Sequence, residues 1–292
     1  MDDAPAVLAL FIACDIVEYG EPDSDLESLL SDWRSLDLTR DAWLIHEASG
    51  RVVGYVSVFP RAPGYTVDLY VHPAHAKIGL QAVLLARCEG RTRERLSPGS
   101  SAPLYVIIPS VAEAEREALL SRGYAPDQYY FRMRIDLHET PSAPDWPAGC
   151  RLTPFVPGQD DRRVYEFIME AFRWPGYTPP SFEDWHERML NTESFRADLW
   201  FLLASGDDEL VGTALCVDHG LYGWVRNLAV AEAWRGKGIG TVLLQHVFSQ
   251  FYRRGQPRIG LGVDGNNPDA YRFYERVGMM QVRQFVRYNI VL

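Results

Sequence analysis

Residues 226–244 read RNLAVAEAWRGKGIGTVLL, from Arg226 to Leu244. An apolar strand, Gly223–Val230, runs into a glycine-rich turn. A helix then begins near Gly238 and carries Leu243, Leu244, Val247, Phe248 and Phe251 at helical spacing. Gly236, Gly238 and Gly240 have no Cβ, so another molecule can approach their backbone closely. The first turn of a helix leaves N–H groups unpaired, and its dipole end is positive. Together these features make an anion cradle suited to a pyrophosphate. Arg235 and Lys237 add mobile positive charge, and Ile239 and Thr241 complete the turn. A Walker loop is excluded because the Lys-Ser/Thr pair is missing. A dinucleotide fingerprint is excluded because the spacing is GxGxG and only about 50 residues remain after it, too few for a doubly wound fold.

Working outward, Val230–Leu244 matches Val71–Leu85 (VHPAHAKIGLQAVLL) over the same length. Arg235 stands opposite Ala76, Gly236 opposite Lys77, Gly238 opposite Gly79 and Gly240 opposite Gln81. Upstream, Arg51–Val58 (RVVGYVSV) matches Glu209–Val217 (ELVGTALCV); downstream, Leu120–Tyr124 (LSRGY) matches Glu275–Met279 (ERVGM). Matched pieces in one order argue for a duplicated domain, not a short-period solenoid. Between the copies, the stretch around Pro141, Pro144 and Pro147 lacks any periodicity and reads as a linker. The expected division is residues 1–138, a linker at 139–148, and residues 149–292.

The second half reads β-α-α-β-β-β-α-β-α-β. Its pieces are Gly149–Pro154, Gln159–Phe172, Phe182–Leu190, Leu199–Ala204, Leu210–Val217, Gly223–Val230, the helix after Gly238, Ile259–Val263, the helix from Pro268, and Val282–Leu292. Gly255 suits a left-handed cap for the long helix and Gly278 ends the last one. The first half has the same plan but opens on a helix, Pro5–Asp15. Either its sheet is one strand shorter or another segment fills that edge.

The chain has 292 residues, 47% of them hydrophobic and 23% charged, which excludes wholesale disorder. No uncharged apolar run is long enough to cross a membrane, and the acidic start, Met1-Asp2-Asp3, does not suit a secretory signal. The expected location is the cytoplasm. A net charge of −10 disfavours nucleic acid as a partner. Cys14, Cys88, Cys150 and Cys216 are scattered, with no zinc spacing, and read as apolar side chains in a reducing compartment. No metal is expected.

The glycine turn and the segment at 267–278 resemble the GCN5-related N-acetyltransferase (GNAT) superfamily. Arg235–Gly240 (RGKGIG) fits that family's R/Q-x-x-G-x-G/A acetyl-CoA loop, between strand and helix. Asn267–Gly278 (NPDAYRFYERVG) looks like its N-x-x-A-x-x-x-Y-x-x-x-G segment, through Asn267, Ala270, Tyr274 and Gly278. The likeness is good over 149–292 and weak over 5–137, and the layout is similar to tandem members such as the mycothiol synthase group. The resemblance implies an α/β (α+β) fold of two tandem GNAT-type domains, each a mixed, mostly antiparallel sheet flanked by helices. It implies acetyl-CoA as co-substrate, with the backbone of Leu228, Ala229 and Val230 along the pantetheine arm. A bulge or splay beside that strand would admit the thioester. Around it would lie Arg235, Gly236, Lys237, Gly238, Ile239, Gly240, Thr241, Asn267, Ala270 and Phe273.

A small-molecule primary amine would attack the acetyl carbonyl directly. Tyr274, with an ordinary phenol pKa of about 10, could protonate the departing thiolate; the other reading makes it a core aromatic. The general base is poorly marked, the candidates being Asp218, His219, Glu170, Asp184 and His186. The loop Trp174–Pro180 either walls the acceptor site or closes a core edge. The first half has Leu119 where Tyr274 stands and Gln81 where Gly240 stands, so catalysis belongs to the second. The alternatives are a peptide or protein amine as acceptor, a longer acyl-CoA, or a non-catalytic acyl-CoA-binding regulator.

Overall fold

In a computed structural model of the full chain, every residue except 1, 35, 174–177, 193 and 221 is described. The first half runs α1 (Ala4–Tyr19), α2 (Leu26–Arg34), α3 (Leu38–Asp41), β1 (Ala42–His46), β2 (Val52–Arg61), β3 (Gly64–Val71), α4 (Leu80–Arg95), β4 (Pro103–Pro109), α5 (Glu113–Ser121) and β5 (Ala125–Asp136). The second runs β6 (Cys150–Pro154), α6 (Asp161–Ala171), α7 (Phe182–Leu190), β7 (Trp200–Ser205), β8 (Leu210–Asp218), β9 (Gly223–Val230), α8 (Ile239–Arg253), β10 (Arg258–Asp264), α9 (Pro268–Arg276) and β11 (Met280–Val291). Residues 137–149 hold no helix or strand. Among the described residues, no helix is long and apolar enough to cross a membrane.

The chain forms two compact units, which divide the sequence less simply than a cut at 139–148. The first comprises Met1–Phe131, Asp264–Asn266 and Arg283–Leu292; the second comprises Arg132–Val263 and Asn267–Val282. In the first unit the strands lie in the order β1-β2-β3-β4-β11-β5, with β11 antiparallel to β4 from Phe285↔Pro109 to Val291↔Pro103. In the second the order is β5-β10-β9-β8-β7-β6. The first unit's described sheet begins at β1, and no described segment fills the edge that β6 occupies in the second unit.

The second unit buries its sheet on both faces, as β7 shows: all six residues, WFLLAS, are buried. One face packs under α6 and α7 through Val164, Ile168, Trp185, Met189, Trp200, Leu202, Leu215 and Ala229. The other lies under α8, where a Cβ at Gly212 would come within 2.8 Å of Ile239 and Leu243. The first unit repeats this contact: a Cβ at Gly54 of β2 would lie 3.3 Å from Leu84 of α4. A glycine beneath the leucine of the helix after the turn is thus the packing form of the sequence repeat. A Cβ at Gly212 would force the helix or its side chains to shift, and at Gly54 the fit is tight.

The chain's last strand supports the first unit's core. Val286, 7% exposed, packs with Leu104, Val106 and Ile108 of β4. Val286→Asp is expected to cost about 3 kcal/mol or more by burying an unpaired charge. Native-state hydrogen exchange checks the assignment: the amides of β4 should lose protection first. Prior loss in β7 and β8 would contradict it.

Candidate active site

The second unit's site starts from one backbone irregularity. β9 pairs with β8 on one edge, from Asp218↔Gly223 to Gly212↔Val230, and the register shifts between Leu215↔Asn227 and Cys216↔Val225. Arg226 is therefore the extra residue of a β-bulge, which bends the strand and re-aims its side chains. On its other edge β9 runs parallel to β10 only through Ile259↔Gly223, Gly260↔Trp224 and Leu261↔Val225. Beyond Val225 the two strands part, and Leu228, Ala229 and Val230 have no β10 partner. That leaves one edge of their peptide groups for a molecule carrying its own amides.

After β9, a single 3₁₀ turn at Glu232–Trp234 leads to Arg235. Gly236 (φ 74°) and Gly238 (φ 83°) are both left-handed, and Gly238 caps α8. A Cβ on either would meet nothing within 4 Å. The glycines are needed for backbone conformation, which an L side chain adopts at a cost of about 1–2 kcal/mol, and the space above them is open. The first α-helical bond of α8 is Val242 N–H to the Gly238 carbonyl, at 3.1 Å. The amides of 239–241 thus precede the helical ladder.

The remaining expected cradle residues divide by role. Gly240 faces protein: a Cβ there would sit 3.0 Å from the Phe273 ring. This contact brings α9, and with it Tyr274, to the start of α8. The side chain of Ile239 is in the core, so it offers the site its backbone only. Thr241 is half-buried on the first turn. Arg235 is a brace, not the mobile charge its sequence position suggests. Its Nε donates to the Val230 carbonyl and its Nη2 to the Ala171 carbonyl, each at 3.3 Å, tying the turn to the ends of β9 and α6. Lys237 lies over the Trp234 ring, its Nζ 4.9 Å from the centroid. The Asn267 side chain accepts the Ala270 N–H at 3.0 Å, so this part of the second motif caps α9, with Pro268 at the first helical position.

Tyr274 is half-buried and its hydroxyl makes no described hydrogen bond. Burial pushes its phenol up to about 12. The proton therefore stays on oxygen throughout the neutral range. Burial also pushes up the thiols of Cys14, Cys88 and Cys216, which removes nucleophilic character from them.

A cavity of about 300 Å³ opens beside β9. Ile168 of α6 and Trp185 and Met189 of α7 form apolar wall; Arg188, Arg226 and Asn227 are its polar groups. None of the five candidate bases lines it. Asp218 accepts the Gly220 N–H at 2.7 Å and a Gln256 amide. His219 stacks on Tyr222, centroids 5.0 Å apart, and His186 bonds Asp161 at 3.1 Å. Glu170 pairs with Arg173 at 2.7 Å, and Asp184 takes part in the cap of α7. Of the expected aromatic loop, 174–177 lie outside the described residues, while Pro180 borders the cavity. Neither motif marks Arg188 or Arg226; Arg226 shows in the sequence only as a charge in the strand two residues before Leu228, and Arg188 of α7 has no such signal. Among the described residues no cluster of His, Cys, Asp and Glu could hold a metal.

The first unit carries the same turn in altered form. β3 and β4 also pair only through Tyr65↔Leu104, Thr66↔Tyr105 and Val67↔Val106, but β2 and β3 keep one register throughout, without a bulge. Gly79 keeps the left-handed cap of α4 (φ 82°). Gln81 is 2% exposed, and its amide donates to the Ala76 carbonyl at 3.0 Å and to Glu115 at 3.1 Å. A buried side chain and a carboxylate thus meet at the start of this helix, where the second unit has glycine.

The chain matches the acetyltransferase (GNAT) family over residues 5–102 and 162–279 and belongs to it. It is an acetyltransferase built of two tandem GNAT domains, in a family whose acetyl donor is acetyl-CoA. A mycothiol acetyltransferase of Kineococcus radiotolerans is 30% identical over 260 residues, which cover 84% of this chain and 80% of that protein. The crystal structure of a GCN5-related N-acetyltransferase from Sphaerobacter thermophilus is 33% identical, with a TM-score of 0.86 over 99% of this chain and 93% of that one. A tandem GNAT protein from the clavulanic acid biosynthesis pathway shares the fold at 16% identity, with a TM-score of 0.79 over 99% and 95% of the two chains.

Calorimetric titration with acetyl-CoA should give one strong site per chain. Gly238→Val should weaken it at least tenfold with the circular dichroism spectrum retained. Undiminished affinity would place the donor site away from this turn.

Proposed function

We propose that the second unit transfers acetyl from acetyl-CoA directly to a small-molecule primary amine. The observation that carries this reading is the free edge of β9 beyond Val225, ending in an open left-handed glycine turn. The backbone amides of 236–241 would bind the diphosphate, with the positive end of α8 beneath it. The free peptide edge of Leu228–Val230 would hold the amide-bearing arm. When bound, acetyl-CoA supplies an activated acetyl group as a thioester.

The chain's residues then have three tasks. A β9 amide near Leu228 stabilises negative charge developing on the acetyl oxygen. Tyr274 holds a proton at Oη for the leaving sulfur, and its raised pKa keeps that proton in place. The cavity beside the bulge orients the acceptor, whose nitrogen forms the new C–N bond and releases a proton to water. Its 300 Å³ suits a small molecule, as do relatives named mycothiol acetyltransferases. Gln81 in the first unit supports assigning donor binding and transfer to the second unit.

Tyr274→Phe should lower kcat about 10²–10³-fold, the scale of a lost general acid, and leave the KM for acetyl-CoA nearly unchanged, as measured by free-thiol release. Because the phenol is protonated below about 12, kcat of the unsubstituted enzyme should show no alkaline fall up to pH ~10. A fall near 9 that vanishes in Tyr274→Phe would contradict this.

A further inference from the structure

Among the described residues, the cavity beside β9 has two ionisable wall groups, and both are cationic. Arg226 comes from the bulge and Arg188 from α7. Arg188 donates through Nε to the Asp184 carbonyl at 3.1 Å. Neither guanidinium has a carboxylate partner among the described residues. This occurs in a chain with 39 acidic against 29 basic residues.

The arrangement is unfavourable by itself. Arg226 stays exposed at one side, and it is disfavoured as a cation first by partial loss of solvation and then by Arg188. Its placement at a bulge also gives up strand pairing. A bound oxyanion reverses the balance, because a guanidinium offers planar paired donors that match carboxylate or phosphate oxygens.

We propose that the amine acceptor also carries an oxyanion, carboxylate or phosphate, and that Arg226 together with Arg188 binds it beside the open edge of β9. This rests on the assignment of the cavity to the acceptor. The two charges also act on the acceptor's nitrogen. A nearby cation disfavours the ammonium form, so the amine is bound more readily neutral. That accounts for a wall without carboxylate or histidine to take the proton.

The test is binding by calorimetry to CoA-saturated protein at constant ionic strength, so that the glycine turn is occupied and cannot report. Two matched pairs serve as product-like probes. N-acetylglycine against N-acetylglycinamide reads a carboxylate; N-acetylglucosamine 6-phosphate against N-acetylglucosamine reads a phosphate. In at least one pair the anionic member should bind tenfold or more tightly than its neutral partner. Arg226→Gln should abolish the difference, Arg226→Lys should keep part of it, and CoA affinity should hold in both. Arg226 is exposed and unpaired, so these variants retain the fold. The proposal is overturned if both pairs show no preference, absence of binding included, or if the preference survives Arg226→Gln combined with Arg188→Gln. Failure of the wider reading shows elsewhere: no CoA uptake, or no thiol release with any amine, removes the transfer assignment whatever the probes do.

Discussion

Two parallel strands that begin paired and then part are the constraint on which this site depends. In a regular sheet, the peptide edge of β9 would be consumed by β10 along its whole length. Here the bonding stops at Leu261↔Val225, and the next residue, Arg226, is the bulge. A bulge increases local twist and breaks register, so β9 turns away from one neighbour while staying paired to the other. The unpaired edge leads straight into the turn at 236–238. Strand edge, glycine turn and helix start are thus one continuous piece of backbone. It is held by Arg235 below and by the Gly240–Phe273 contact at the side.

The first unit shows which parts of that device are separable. It keeps the parting of its parallel strands, the left-handed cap at Gly79, and the glycine beneath the helix leucine. It lacks the bulge, and Gln81 is buried at the start of α4 with hydrogen bonds to Ala76 and Glu115. A carboxylate at a helix start satisfies the same dipole that a phosphate would. What survives there is what the fold needs, and what changed is what a ligand would need.

Much of this is legible in the residues. Repeated segments give the two domains, and RGKGIG gives the strand, turn and helix, because glycine at positive φ has few substitutes. Gly223–Val230 and Phe182–Leu190 coincide with the strand and helix formed. The composition of the two units is not legible, since Arg283–Leu292 joins the first through pairing partners far away in sequence. The roles of Arg235, Asn267 and Gly240 are half legible. Their motif spacing is visible, but whether a side chain touches a ligand or braces the backbone depends on packing. The bulge leaves no insertion in the strand's sequence: β3 (Gly64–Val71) and β9 (Gly223–Val230) are both eight residues long, and what differs is how β9 pairs with its neighbour.

On the proposed reading, the bulge residue ties donor and acceptor chemistry together. Removing Arg226 from the regular alternation frees β9 from β10 and at the same time sets a guanidinium into the cavity against Arg188. The donor side uses backbone groups and glycine conformation, which side-chain changes elsewhere leave intact. The proposed acceptor side would use side chains from α6, α7 and the bulge. Substitutions in those elements can therefore redefine which amine fits without disturbing the turn. The reverse is not so, because any side chain at Gly236 or Gly238 distorts the turn that aims the donor. On the proposed reading, the glycine turn would set the class of reaction, while the charge at 226 would carry the information about what is acetylated.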